Sequence, residues 1–243
     1  MRILLDDKLS GYGENDLLRD LDLLPAWRRE QALRFKHFEG KRNCTRAFLL
    51  LWECLKDKVD LERPQDFPEF VYNEHGKPSL DPSLLISNFS LLTFNFSLSH
   101  CKEAVVCITD NQPCGIDVES VGRYSESVAR YAMNDEELNA IEAAANPARA
   151  FVRLWTQKEA LLKALGTGIQ DNMRDIFAQY PDAVITTHDE PEKDYILSFC
   201  TAPSPLQQSS HPLRFPRPRG TETLWGSASL SLLKCQVLPQ RGR

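Results

Sequence analysis

Gly115-Ile116-Asp117-Val118-Glu119 reads as a strand, and Trp155-Thr156-Gln157-Lys158-Glu159-Ala160-Leu161-Leu162-Lys163 reads as a helix. On a strand, Asp117 and Glu119 lie two residues apart and point to the same face. On a helix, Glu159 and Lys163 lie four apart and also share a face. Brought to one cleft, the two segments supply three carboxylates and one ammonium group. Hard oxygen donors suit Mg²⁺, which binds carboxylates, water and substrate phosphate. The chemistry predicted is Mg²⁺-dependent action on a phosphate ester.

Working outward, the 243 residues have room for one large domain or two small lobes. With 42% hydrophobic and 26% charged residues, the composition is that of a soluble globular protein. A formal net charge of −5 argues against bulk binding of nucleic acid or an anionic membrane. Basic residues still cluster locally, with Arg28, Arg29, Arg34, Lys36, Lys41, Arg42 and Arg46 in one stretch. That stretch is either a solvated helix face or the seat of a polyanionic ligand.

The apolar start Ile3-Leu4-Leu5 is too short for a secretory signal, and Ala47–Trp52 is too short to span a membrane. Seven cysteines without a CxxC pair, scattered among apolar residues, predict reduced and mostly buried thiols in a cytoplasmic protein. The cysteines and five histidines lack zinc-ligand spacing. A Walker loop and a Gly-x-Gly-x-x-Gly turn are likewise absent from the sequence.

Residues from about 12 to 58 carry apolar side chains at helical spacing, interrupted at Pro25. The period then changes, with strands predicted at 70–72, 94–99 and 104–108 and a loop at Asn73–Pro78. After Asn111-Gln112-Pro113 the order repeats: a strand at 114–119, helical sequence at about 125–145, and a helix from Pro147 to Leu165. Asn146 is the predicted cap of that helix, Pro147 its first turn and Gly166 its exit. Strands near 183–187 and 195–200 complete the second half. Helices followed by strands, twice over, predict an α+β fold of two lobes, 1–112 and 113–243. Beyond Cys200 a Pro-rich stretch reads as irregular, with a weak strand signal in 224–237.

The two opening segments resemble the signature of the Sfp-type 4′-phosphopantetheinyl transferases, a Gly-Ile-Asp-Ile/Val-Glu strand followed about forty residues later by Trp-Ser/Thr-x-Lys-Glu-Ala/Ser-x-x-Lys. Here Glu159 follows Asp117 by 42 residues and every key position is filled. Gly76-Lys77-Pro78 resembles the family's Gly-Lys-Pro loop, and Phe96-Ser97-Leu98-Ser99-His100-Cys101 its Phe-Asn-Ile/Leu-Ser-His-Ser segment. Arg34-Phe35 with Lys41, Arg42 and Arg46 is similar to its basic helix region. Cys101 departs from the usual serine, and the tail matches weakly.

The resemblance implies two similar α+β lobes related by pseudo-two-fold symmetry. It also implies transfer of phosphopantetheine from coenzyme A to a serine of an apo acyl or peptidyl carrier protein, a holo-[acyl-carrier-protein] synthase activity. Asp117, Glu119 and Glu159 become the implied Mg²⁺ ligands, and Lys163 the group that protonates or screens the leaving phosphate. Glu159 and Glu136 both stand as the base for the incoming serine. Arg28, Lys41, Arg42 and Arg46 become implied phosphate partners, with Lys77, Ser99 and His100 closer to the nucleotide. Lys158 is either a pyrophosphate contact or the solvent-facing neighbour of Glu159. Trp155, Leu161 and Leu162 read as core. The long two-lobed chain resembles the monomeric branch that serves nonribosomal peptide and polyketide synthases in bacterial secondary metabolism. The rival is a non-catalytic module that binds coenzyme A or a carrier protein.

Overall fold

The computed structural model describes residues 1–59, 61–81, 94–168 and 173–201. The expectations for the Pro-rich stretch beyond residue 201 and for a strand in 224–237 lie outside these residues. In the first half, β1 (Arg2–Asp6) leads to α1 (Glu14–Leu21), α2 (Ala26–Leu33) and α3 (Phe38–Leu55). A small hairpin of β2 (Val71–Tyr72) and β3 (Pro78–Ser79) follows, then β4 (Asn95–His100) and β5 (Val105–Asp110). In the second half, β6 (Cys114–Ser120) leads to α4 (Glu126–Ala132), α5 (Asp135–Ala143), α6 (Pro147–Leu165) and the short α7 (Ile176–Gln179). β7 (Val184–His188) and β8 (Tyr195–Thr201) complete it.

Each half closes an antiparallel three-stranded sheet, ordered β1-β5-β4 and β6-β8-β7. In both, the last strand of the half lies between the first and the second. The fold is α+β with two similar lobes, as the repeated order of helices and strands predicts. The sequence pattern missed β1, which pairs Leu4 with Cys107 and Asp6 with Val105. Its three apolar residues show no alternation, so only the partner strand reveals it.

Strand alternation sorts the side chains into three cores. Val105 and Cys107 face α3 and join Phe48, Leu51, Leu55 and Phe96. On the other face of the sheets, Val106 and Ile108 meet Ile116, Val118, Tyr195 and Leu197. Trp155, Leu161 and Leu162 on α6 pack with Met133, Ile141 and Ile196, the core role their spacing predicts. Full burial of such side chains is worth about 1.5–3 kcal/mol each.

β4 and β6 run side by side where the lobes meet. Serine hydroxyls stitch this seam: Ser97 Oγ accepts from the Ile116 N–H at 3.2 Å and Ser99 Oγ from the Val118 N–H at 3.3 Å. α6 is capped as expected. Asn146 Oδ1 accepts from the Arg149 N–H at 3.0 Å, Pro147 opens the first turn, and Gly166 ends the helix at φ 73°. Asn134 and Glu137 form a reciprocal capping box at α5, which splits the predicted helical stretch 125–145 into α4 and α5. The six described cysteines are free and buried. Among the described residues, no helix is long and apolar enough to cross a membrane.

Candidate active site

The site begins with a residue that has no side chain. A Cβ on Gly115 would sit 2.1 Å from the Ala160 carbonyl oxygen and 2.4 Å from the Ala164 nitrogen. The β6 backbone therefore lies directly on the α6 backbone, and the strand period turns Asp117 and Glu119 to the same side. Asp117 Oδ1 accepts from Lys163 Nζ at 2.6 Å and from Ser99 Oγ at 2.8 Å, while Lys163 Nζ also reaches the Ile116 carbonyl at 3.1 Å. Asp117, Glu119 and Glu159 are all buried, at 0%, 2% and 2% exposure. Arg123 Nε stands 4.0 Å from Glu119 Oε2.

Two acceptors in this cluster, Asp117 Oδ2 and Glu119 Oε1, are buried without a hydrogen-bond partner among the described residues. Desolvation, then repulsion from Asp117, pushes the Glu119 carboxyl up to about 8; Glu159 adds to the shift, and Arg123 and Lys163 oppose it. Among the described residues, no three His, Cys, Asp or Glu side chains are already arranged to hold a metal ion. The donor chemistry nonetheless fits Mg²⁺: oxygen-only, buried, mutually repelling, with two bare carboxylate oxygens.

A second basin of opposite character lies next to it. His100 ends β4 on the face turned to α3, where its Nδ1 is 3.3 Å from Asn43 Nδ2. Burial pushes the imidazole down to about 3, and the nearby Lys163, Arg28 and Arg42 charges add to the shift. Arg42 Nη2 donates to the Lys102 carbonyl at 2.9 Å, and Arg28 Nη2 to the Cys44 carbonyl at 3.1 Å. Among the described residues, neither guanidinium is within salt-bridge distance of a carboxylate. His100 Nε2 and Arg28 Nε are buried without a partner there.

The structure gathers Asp117, Glu119, Glu159, Lys163, His100, Arg28 and Arg42 into these two basins. Other expected site residues have different duties. Arg46 is committed internally, donating to Asp6 at 2.8 Å and Asp20 at 3.0 Å, which ties α3 to β1 and α1. Lys77 Nζ donates to the Ala164 carbonyl at 2.9 Å and Asn73 to that of Gly166 at 2.8 Å, so the Gly-Lys-Pro loop docks on the α6 C-terminus. A cation there opposes the negative end of the helix dipole. Ser99 spends its hydroxyl on Asp117 and Val118, which makes it a support for the carboxylate. Lys41 is half-buried in the first turn of α3, apart from these bonds.

Glu136 is exposed in the first turn of α5, and its neighbour Glu137 turns inward instead. Lys158 corrects both alternatives offered for it. Its side chain is fully buried, and Nζ donates to Glu137 at 2.7 Å and to the carbonyls of Ala132, Met173 and Arg174 at 3.0, 2.8 and 3.1 Å. It points away from Glu159 because adjacent helical residues are about 100° apart around the axis. Lys158→Met should therefore lower stability by about 3 kcal/mol, or a melting temperature drop of about 6–12 °C. Thermal melting checks this.

A family model described as the 4′-phosphopantetheinyl transferase superfamily matches residues 113–221. The 4′-phosphopantetheinyl transferase gsp of Aneurinibacillus migulanus is 32% identical over 111 residues, 45% of this chain and 43% of that one. The transferase Sfp of Bacillus subtilis is 27% identical over 169 residues, 69% of this chain and 70% of its own. The transferase psf-1 of Bacillus pumilus is 34% identical over 144 residues, 58% of each chain. The match thus spans less than half of the gsp protein. The family match falls on the half that holds β6 and α6, where the carboxylates and Lys163 converge, and this half of the chain is similar to the 4′-phosphopantetheinyl transferase superfamily.

Proposed function

We propose that this protein transfers 4′-phosphopantetheine from coenzyme A to a serine hydroxyl of an apo acyl or peptidyl carrier protein, releasing adenosine 3′,5′-bisphosphate. The observation that carries this is the pairing of two unsatisfied basins. Asp117 Oδ2 and Glu119 Oε1 are acceptors in need of a cation, while His100 Nε2 and Arg28 Nε are donors in need of an anion. Ser99, the neighbour of His100 in β4, donates to Asp117 Oδ1 at 2.8 Å, so the basins adjoin. A phosphate-rich coenzyme with a divalent cation satisfies both at once.

Asp117, Glu119 and Glu159 would hold the Mg²⁺. Bound there, the ion would neutralise charge developing on the pyrophosphate oxygens. In the transfer, the carrier serine oxygen forms a bond to the phosphorus next to pantetheine, and the bond from that phosphorus to the bridging oxygen breaks. The serine proton passes to Glu159, directly or through water, since Glu159 stands in the buried cluster and Glu136 is exposed on α5. Lys163 offers its ammonium to the departing phosphate from its place 2.6 Å from Asp117. Arg28, Arg42 and His100 hold and orient the coenzyme.

In this proposal, residues 1–112 form the coenzyme-binding lobe and 113–243 the catalytic lobe. The protein works as a cytoplasmic monomer on carriers of peptide or polyketide synthases. The test is incubation with coenzyme A, Mg²⁺ and a panel of apo carriers from fatty-acid, peptide and polyketide systems, read by intact mass. A phosphopantetheine increment that vanishes with EDTA is expected. Bound coenzyme A with every carrier mass unchanged would leave only a binding module.

A further inference from the structure

Asn43 carries no charge, yet it bonds two of the groups assigned to coenzyme binding. Its amide can take only one orientation. Oδ1 accepts from Arg42 Nε at 2.9 Å, and Nδ2 donates to the Cys101 carbonyl at 2.9 Å. A guanidinium only donates and a carbonyl only accepts, so flipping the amide would break both bonds. The second Nδ2 hydrogen is left for His100 Nδ1 at 3.3 Å, which makes Nδ1 the bare, accepting nitrogen. A neutral imidazole then carries its proton on Nε2. The ring is neutral because burial and three nearby cations disfavour its charged form.

We infer that Asn43 is a positioning residue, which locks His100 as an Nε2–H donor for an anionic phosphate oxygen and holds Arg42 beside it. This rests on the coenzyme site proposed above. Asn43 and His100 are 4% and 5% exposed, so water does not compete for these bonds. Nε2 has no partner among the described residues, as a donor reserved for a ligand should. The opposite tautomer would turn a lone pair toward phosphate and repel it.

The test uses the full chain labelled with ¹⁵N-histidine, with His100→Gln to assign the resonances. In the free wild type at neutral pH, Nδ1 should be unprotonated and Nε2 protonated. Asn43→Asp should invert the pattern, because its carboxylate accepts from an Nδ1–H, and should raise the coenzyme A dissociation constant at least tenfold. Asn43→Ala, which removes the constraint and guards against misfolding of the first variant, should give mixed tautomers and an intermediate loss. An Nδ1–H ring in the wild type, or wild-type tautomer and affinity in both variants, would overturn the inference. The tautomer is read without coenzyme, so an Nε2–H ring in a wild type that fails to bind coenzyme A sinks the proposed ligand and leaves the locking by Asn43 in place.

Discussion

Gly115→Ala is expected to destabilise the protein by more than the usual 1–3 kcal/mol of an overpacked core, and to cut transfer about a hundredfold or more in the molecules that fold. The added methyl would meet Ala160 O at 2.1 Å, Ala164 N at 2.4 Å and Lys163 C at 2.9 Å. These are backbone atoms, and no rotamer change can clear them. Either α6 moves off β6 by about 1 Å or the strand distorts, because ordinary contacts begin near 3.4 Å. Glu159 and Lys163 ride on α6 and Asp117 on β6, so either response pulls the cluster apart. Gly115 is not among the positive-φ glycines, so the need is for close approach and not for an unusual backbone torsion. Thermal melting together with the carrier assay measures both effects. A variant within 2 °C of wild type and fully active would show that this contact does not position the site.

Glu119→Gln should move stability and activity in opposite directions. The folded-state carboxyl lies near 8 against an ordinary 4.5. Between these values the folded protein holds a proton that the unfolded chain has released, so stability falls as pH rises through that window. At pH 8.5 in EDTA the wild type carries the full cost of a buried, repelled carboxylate, and Gln does not. The variant should then be more stable by on the order of 2 kcal/mol, or about 4–8 °C in melting temperature. The difference should vanish below pH 4.5, where the carboxyl is protonated in both states. Transfer with Mg²⁺ should fall by on the order of a thousandfold, equivalent to about 4 kcal/mol of lost charge stabilisation. A less stable variant at pH 8.5 without metal would contradict the picture of Glu119 as a strained acceptor awaiting a cation.

Much of this architecture is legible from short-range pattern. The cap, first turn and exit of α6 follow from Asn146, Pro147 and Gly166, because these signals act within a few residues. Strand period alone puts Asp117 and Glu119 on one face, and helix period puts Glu159 with Lys163. Other features were hidden for a definite reason. β1 is recognisable only through its register with β5. The duty of Asn43 depends on His100 and Cys101, whose partnership spans 57 and 58 positions. No periodicity reaches that far.

The sequence by itself determined the twofold order of helices and strands and the acidic pair facing a Glu–Lys helix, since each depends on side-chain spacing along one element. Tertiary structure alone decided which cations remain available to a ligand. Arg46 is neutralised by Asp6 and Asp20, Lys77 closes the end of α6, and Lys158 is enclosed by Glu137 and three carbonyls. Among the described residues, Arg28 and Arg42 bind only neutral acceptors. A buried positive charge with no counter-ion keeps its demand for an anion, and only the partners brought in by folding can reveal which charges those are.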